Sequence, residues 1–359
     1  MERRIFVVAV VALGASLAGC FGAGARSDWA YEAVGLDATY DDGLRGRGVV
    51  VAVIDTGINL GHPSLEHLKD GDEGDGEVIA FKDFYTGKEG VGEAIDPAGH
   101  GSHVASIIAA RGSGFMDRLV YNADLLGGAP GVQLVIARVC NESCKTDAID
   151  DAVDWAVVQG AKVISMSLGG TSGLPPAVDD LLQSEIEASV NAAIDRGVVV
   201  IASAGNNGPD NEDVSSPANI PGVLAVGAVD GDLAVWEESS RGDDVPCRPG
   251  GGLFEGRSTS RCYPSKKPEI VAPGVDILGA WSGDSYVRAT GTSQATPFVT
   301  SAVAVMLEGR TPLTDREDVL AVKRVLVDTA SPLPGQGKPH DAAAGYGLLQ
   351  ADRAVAAYR

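Results

Sequence analysis

Three residues far apart in the chain have the types needed for acyl transfer: Asp55 in V-I-D-T-G, His100 in G-H-G-S-H-V-A and Ser293 in G-T-S-Q-A-T-P. A serine hydroxyl is a weak nucleophile until a base takes its proton. The imidazole acts as that base when a carboxylate fixes its tautomer. Each residue also has an ordinary reading: Asp55 as a turn residue before Gly57, His100 as a loop or capping histidine, Ser293 as an N-cap. Their order, Asp…His…Ser, differs from the Ser…Asp…His of α/β-hydrolases, and no G-x-S-x-G elbow occurs.

Positioning such a set requires rigid elements, and the sequence supplies them. Residues 48–54 read GVVVAVI, an apolar β-branched run suited to a strand covered on both faces. Similar runs recur at 132–139, 162–166 and 198–202, with 223–226 a further candidate. Between them lie helical patterns. Ala148, Ile149, Ala152, Trp155 and Ala156 form a stripe at helical spacing after Thr146, and Leu182, Ile186, Val190 and Ile194 repeat every four residues before Gly197. Residues 298–307 predict a buried helix and 315–327 another. Alternating strands and helices predict an α/β sandwich with a mainly parallel sheet. Asp55 then stands at the carboxyl end of a central strand, where open α/β sheets keep their sites. Residues 70–96 and 242–267 read as irregular surface loops.

The composition excludes several classes. With 359 residues, 45% of them hydrophobic, the chain is neither disordered, nor a disulfide-stapled mini-protein, nor a multi-span membrane protein. It carries 28 basic and 49 acidic residues, a net charge of -21, so nucleic-acid phosphates would be repelled. Arginine outnumbers lysine 19 to 9. An acidic surface depleted in lysine fits a salt-rich environment, where mobile ions screen self-repulsion; an ordinary soluble acidic protein is the alternative.

The first residues, Met1-Glu2-Arg3-Arg4, are basic, and an uncharged run follows to Ala25. This reads as an export signal. Leu17-Ala18-Gly19-Cys20 resembles the lipobox of secreted lipoproteins, which implies a signal peptide over 1–20, a lipid on Cys20, a short tether over 21–27 and one domain over 28–355. An uncleaved membrane anchor is the alternative. Export leaves Cys140, Cys144, Cys247 and Cys262 as an even set in an oxidising compartment. Sequential pairing, Cys140–Cys144 and Cys247–Cys262, is expected; a four-thiolate metal site lacks the CxxC spacing of structural zinc.

Beyond the three chemical motifs, S-M-S-L-G-G at 165–170, S-A-G-N-N-G at 203–208, S-S-P-A at 215–218, K-P-E-I-V-A-P-G at 267–274 and G-Y-G-L-L-Q-A at 345–351 complete an ordered set. The chain thereby resembles the subtilisin-like serine peptidases over roughly 29–355. The resemblance implies a three-layer α/β/α fold and a serine endopeptidase. In it Asp55 orients, His100 is general base and then acid, and Ser293 attacks the carbonyl. Asn206 matches the side-chain donor of the oxyanion hole, beside the Ser293 backbone N–H. Ser167, Leu168 and Gly169 match the edge that pairs with an extended polypeptide substrate, and Ala204, Gly205 and Asn206 match one wall of the S1 pocket.

Three departures from the family pattern stand out. Ser102 replaces the usual threonine, Gln294 replaces the usual methionine, and Trp29 already resembles the start of the mature domain. The last leaves no room for a pro-domain after the signal; folding unaided, help in trans, or a start further upstream are the expectations, with the Cys20 lipobox against the last. No cofactor is expected for the chemistry. The family's stabilising calcium would find Asp70, Asp72, Glu73, Asp75 and Glu77 crowded in one loop, yet without EF-hand spacing, so no metal ligands are assigned. Asp210, Glu212 and Asp213 near S1 would favour a basic P1 residue. A monomer is expected. The rival readings are a silent peptide-binding scaffold and an esterase.

Overall fold

The computed structural model describes residues 8–9, 27–71, 76–112, 125–141, 143–144, 146–169, 176–209, 214–242, 244–245 and 265–358. Seven strands form one sheet: β1 (Val50–Asp55), β2 (Glu77–Asp83), β3 (Gln133–Arg138), β4 (Val163–Met166), β5 (Val199–Ser203), β6 (Leu224–Val229) and β7 (Ile270–Pro273). Their spatial order is β7-β6-β5-β4-β1-β3-β2, and every pairing is parallel. The order reverses at β1, so the crevice beyond its carboxyl end is the switch point at which such sheets bind ligands.

Helices cover both faces. They are α1 (Asp28–Ala33), α2 (Leu36–Asp41), α3 (His100–Ala109), α4 (Thr146–Val158), α5 (Pro176–Asp195), α6 (Thr292–Leu307), α7 (Arg316–Thr329) and α8 (Ala351–Ala357). α4 and α5 pack together on one face, while α3 and α6 pack together on the other, α6 lying across β4, β5, β6 and β7. An α/β/α sandwich results. Because α6 is covered all round, every described residue of it except Ser293 is buried. A hairpin of β8 (Ile277–Ala280) and β9 (Tyr286–Ala289) lies against α3.

The β-branched runs all fold as strands. Residues 70–96 differ from their reading as a surface loop. Their E-V-I-A-F-K-D segment is β2, the edge strand, with Val78, Phe81 and Asp83 buried and the residues between them part-exposed. Strand β7 also escaped, because four residues ending in proline give too short an apolar run. A two-residue antiparallel ladder joins Val8–Ala9 to Ser143–Cys144. No helix among the described residues is long and apolar enough to cross a membrane.

The K-P-E-I motif has a structural role. The Lys267 ammonium is buried and donates to the Ile220 (2.9 Å) and Val223 (2.7 Å) carbonyls. It also pairs with Glu269 at 3.0 Å, and Glu269 in turn pairs with Lys323 from α7. Burial, opposed by the Glu269 charge, pushes Lys267 down to about 7. Removing the carboxylate leaves two ammonium groups facing each other with little solvent. Glu269→Ala is therefore expected to cost about 3–5 kcal/mol of stability, read as a lowered urea midpoint; an unchanged midpoint would show that the cluster contributes nothing.

Candidate active site

The three chemical residues sit on three packed elements, since α3 touches both β1 and α6. Asp55 ends β1 and is buried. Gly57 follows in a backbone conformation at φ 118° that side chains rarely adopt, and a Cβ there would strike the Ile95 carbonyl. That turn lets Ile58 N–H bond the Ile95 carbonyl at 3.1 Å and brings the loop ahead of α3 beside the end of β1.

His100 opens α3, and its Nδ1 lies 2.8 Å from Asp55 Oδ1. A carboxylate only accepts, so Nδ1 carries the proton and Nε2 is left as the basic nitrogen. Asp55 Oδ1 also accepts the Thr56 N–H at 2.7 Å, while Oδ2 is buried with no partner among the described residues. Burial lowers the His100 pKa, but the Asp55 charge and hydrogen bond, with Asp96 adding to them, outweigh it, and the net shift is upward. His103, one turn on, is not a second base. Burial, with the His100 charge next, pushes it down to about 4, and its Nε2 donates to the Ile277 and Val287 carbonyls of the hairpin.

Ser293 is the second residue of α6, where unpaired backbone N–H groups and the helix dipole favour negative charge. Its hydroxyl donates to the Ser167 carbonyl at 3.2 Å, and the Ser167 hydroxyl donates to the Ser293 carbonyl at 2.9 Å. The proline of G-T-S-Q-A-T-P explains the second bond. Pro297 has no N–H for the carbonyl four residues back, which is that of Ser293, and Ser167 supplies the missing donor.

Asn206 meets the same helix start. Its Oδ1 accepts the Thr292 N–H at 3.0 Å and the Thr292 hydroxyl at 2.8 Å. Because the backbone N–H can only donate, the amide orientation is fixed, with Nδ2 as the remaining donor. Gly205 holds the preceding turn at φ 113°, and a Cβ there would strike the Ser215 hydroxyl. Gly205 N–H bonds the Thr292 hydroxyl at 3.2 Å, and Ala204 is fully buried against β6. Ser167, Leu168 and Gly169 leave the carboxyl end of β4, and the Leu168 carbonyl accepts from Ser203. The structure thus brings Asp55 to His100, Ser167 to Ser293, and Asn206 to the helix that carries Ser293.

The match to known proteins decides the family. The profile of the subtilase family covers residues 46–347. This chain belongs to the subtilase family. Among similar proteins are the major intracellular serine protease of Bacillus subtilis, 33% identical over 74% of this chain and 70% of its own length, and subtilisin DY of Bacillus licheniformis, 31% identical over 76% and 81%. The intracellular serine protease of Paenibacillus polymyxa is 33% identical over 73% and 67%. As a subtilase, the chain is a serine endopeptidase.

Three residues of this subtilase that the sequence reading passed over support the site: Thr56, Asp96 and Thr292. Asp96 lies ahead of Gly99, the N-cap of α3, and not at the capping position itself, and it was hidden in a segment read as loop. The two departures are also placed. Ser102 binds Asp96 through its hydroxyl. Gln294 is buried with its Nε2 unpartnered among the described residues, a burden of about 1–3 kcal/mol.

Cys140 and Cys144 form a disulfide directly after β3, and the Cys140 N–H bonds the Asp55 carbonyl at 3.2 Å. Cys20, Cys247, Cys262, Asp72, Glu73, Asp75, Asp210, Glu212 and Asp213 lie outside the described residues. Among the described residues no group of three His, Cys, Asp or Glu is placed to hold a metal.

Proposed function

We propose that the chain cleaves extended polypeptides through an acyl-enzyme intermediate built on Asp55, His100 and Ser293, outside the cell membrane and tethered to it through Cys20. The observation that carries the catalytic part is the 2.8 Å Asp55–His100 bond, which leaves Nε2 as base on α3, the helix that packs against the one bearing Ser293. In this mechanism Ser293 rotates from the Ser167 carbonyl toward His100 as substrate settles, since catalytic hydrogen bonds tighten on binding. His100 takes the hydroxyl proton while Oγ attacks the scissile carbonyl. The oxyanion is held by Asn206 Nδ2 and the Ser293 N–H. His100 then gives its proton to the leaving amine, and water repeats the sequence on the acyl-enzyme. Ser167, Leu168 and Gly169 pair with the substrate backbone, and Ala204 and Gly205 wall the P1 side chain. Main-chain pairing accepts many sequences, which suits a broad endopeptidase.

Casein hydrolysis measured together with fluorophosphonate labelling tests this. Both are expected. Labelling with ester but no casein hydrolysis would favour an esterase; neither would leave a silent scaffold. Asn206→Ala removes one oxyanion donor and leaves nucleophile and base poised. It is expected to slow labelling without abolishing it and to lower kcat about 10²–10³-fold, a magnitude known from subtilisin itself rather than obtained from this geometry. Unchanged kcat would remove Asn206 from the oxyanion hole.

The lipid anchor rests on the lipobox, and processing there would remove Val8–Ala9 from its ladder with Ser143–Cys144. Cys247 and Cys262 complete the cysteine pairing in this reading. Beyond residue 20 the chain has 26 basic and 48 acidic residues. The Debye length shrinks from about 30 Å at 0.01 M salt to about 3 Å at 1 M. The melting temperature and activity are therefore expected to rise between low and molar salt; equal values in both would end the halophile reading.

A further inference from the structure

We propose that Asp96 is a positioning residue for proteolysis: its buried carboxylate clamps the strand end bearing Asp55 to the helix start bearing His100 and sets a second negative charge behind the imidazole. The proposal rests on the triad reading above.

Asp96 is only 6% exposed, yet four donors converge on it. Oδ1 accepts the Thr56 hydroxyl and the Gly99 N–H, both at 2.8 Å. Oδ2 accepts the Ser102 N–H and the Ser102 hydroxyl, both at 2.7 Å. The donors come from the two segments that the chemistry must hold in register. Thr56 directly follows Asp55, while Gly99 and Ser102 bracket His100. The network closes on itself, because the Thr56 hydroxyl accepts the Gly101 N–H at 2.8 Å and the Ser102 hydroxyl accepts the Asn59 N–H at 2.9 Å.

Four donors saturate an ionised carboxylate, whereas a protonated one would turn its own hydrogen toward a donor. All four bonds are ones that the carboxylate accepts, and the Asp96 charge is among the causes that raise the His100 pKa. The charged and titratable groups facing His100 are Asp55 from β1, Asp96 from the loop before α3, and neutral His103 from α3 itself. Arg138, beside Asp55 at the end of β3, is taken up by Asp83 at 2.8 Å. Asp55 touches the imidazole directly and Asp96 does not; Asp96 acts through the backbone it fixes and through its charge. That charge matters most when the imidazole becomes imidazolium, the state from which it protonates the leaving amine.

Asp96→Asn in the full chain tests this. An amide keeps one acceptor oxygen and turns an NH₂ group toward two existing donors, from either the Thr56–Gly99 side or the Ser102 side. A small misplacement of a catalytic group costs up to about 10²-fold, so kcat is expected to fall by about 10–10²-fold with KM little changed. The sign for pH follows from the lost charge. A less stabilised imidazolium has a lower pKa, so the acidic limb of kcat/KM moves to lower pH. Ser102→Ala removes two bonds, the one to Asp96 and the one from the Asn59 N–H, and keeps the Asp96 charge; it is expected to lower the melting temperature and leave the limb in place. A folded Asp96→Asn enzyme with the wild-type limb would reduce Asp96 to a structural residue and overturn the proposal. Should that variant not fold, Asp96→Glu retains the charge and displaces it: the limb is expected to stay while kcat falls, and wild-type kcat would overturn the proposal equally. Mapping the fluorophosphonate adduct on the wild type keeps the two claims apart. A label at Ser293 with an unmoved limb refutes Asp96 alone, and a label elsewhere refutes the triad.

Discussion

His100→Ala, Ser293→Ala and the double variant are expected to lose nearly the same activity. If base and nucleophile form one proton-transfer unit, either loss disables the unit and the second removes nothing further. The single losses should be about 10⁶-fold in kcat, a figure known from subtilisin itself, and the double variant should sit within a few-fold of them. Additive losses would mean that the two residues act separately. The fold is expected to survive. Ser293 is part-exposed at a helix start, and among the described residues its side chain bonds Ser167 alone. Its truncation should cost no more than a cap, about 1 kcal/mol. His100 is buried, but its described side-chain bond is to Asp55 alone.

Asp55→Asn carries the second large effect. Both donors, His100 Nδ1 and Thr56 N–H, fall on Oδ1, and Oδ2 is buried without a partner among the described residues. An asparagine that keeps its oxygen at Oδ1 buries an unpaired NH₂ and leaves the imidazolium without its anion. One that flips presents NH₂ to Nδ1 and forces the proton onto Nε2, the wrong tautomer for a base. Either orientation lowers turnover. The expected loss is about 10⁴-fold, a value taken from the chymotrypsin-type triad. Near-wild-type kcat in the folded variant would remove Asp55 from its orienting role.

The pattern of what could be read from sequence follows from burial. β1, β3, β4 and β5 announce themselves because strands covered on both faces need unbroken β-branched runs. β2 does not, because an edge strand needs only alternate burial, and Glu77, Lys82 and Asp83 look like loop residues in one dimension. The residues of the proposed triad were legible as residue types, since acyl transfer admits few nucleophile–base pairs. Their supports were not. Asp96 acts partly through the Thr56 hydroxyl, 40 positions away, and Thr292 through Asn206, 86 positions away, contacts that appear only once the chain is folded. The bond between Ser167 and the Ser293 carbonyl depends on a proline whose effect appears only once the helix is formed. Ser102 and Gln294 show the two outcomes of a departure. A serine at 102 retains the hydroxyl that Asp96 and Asn59 require, so nothing in that network is lost. A glutamine at 294 places an amide where no described partner meets its nitrogen.

The central claim is that Ser293 is the nucleophile, and adduct mapping tests it most directly. Folded wild-type protein is treated with a fluorophosphonate, digested and mapped by mass, beside Ser293→Ala treated identically and assayed on casein. One adduct is expected, on Ser293, together with loss of both labelling and casein hydrolysis in the variant. A Ser293→Ala protein that still digests casein, or a wild-type adduct on any other residue, would contradict it.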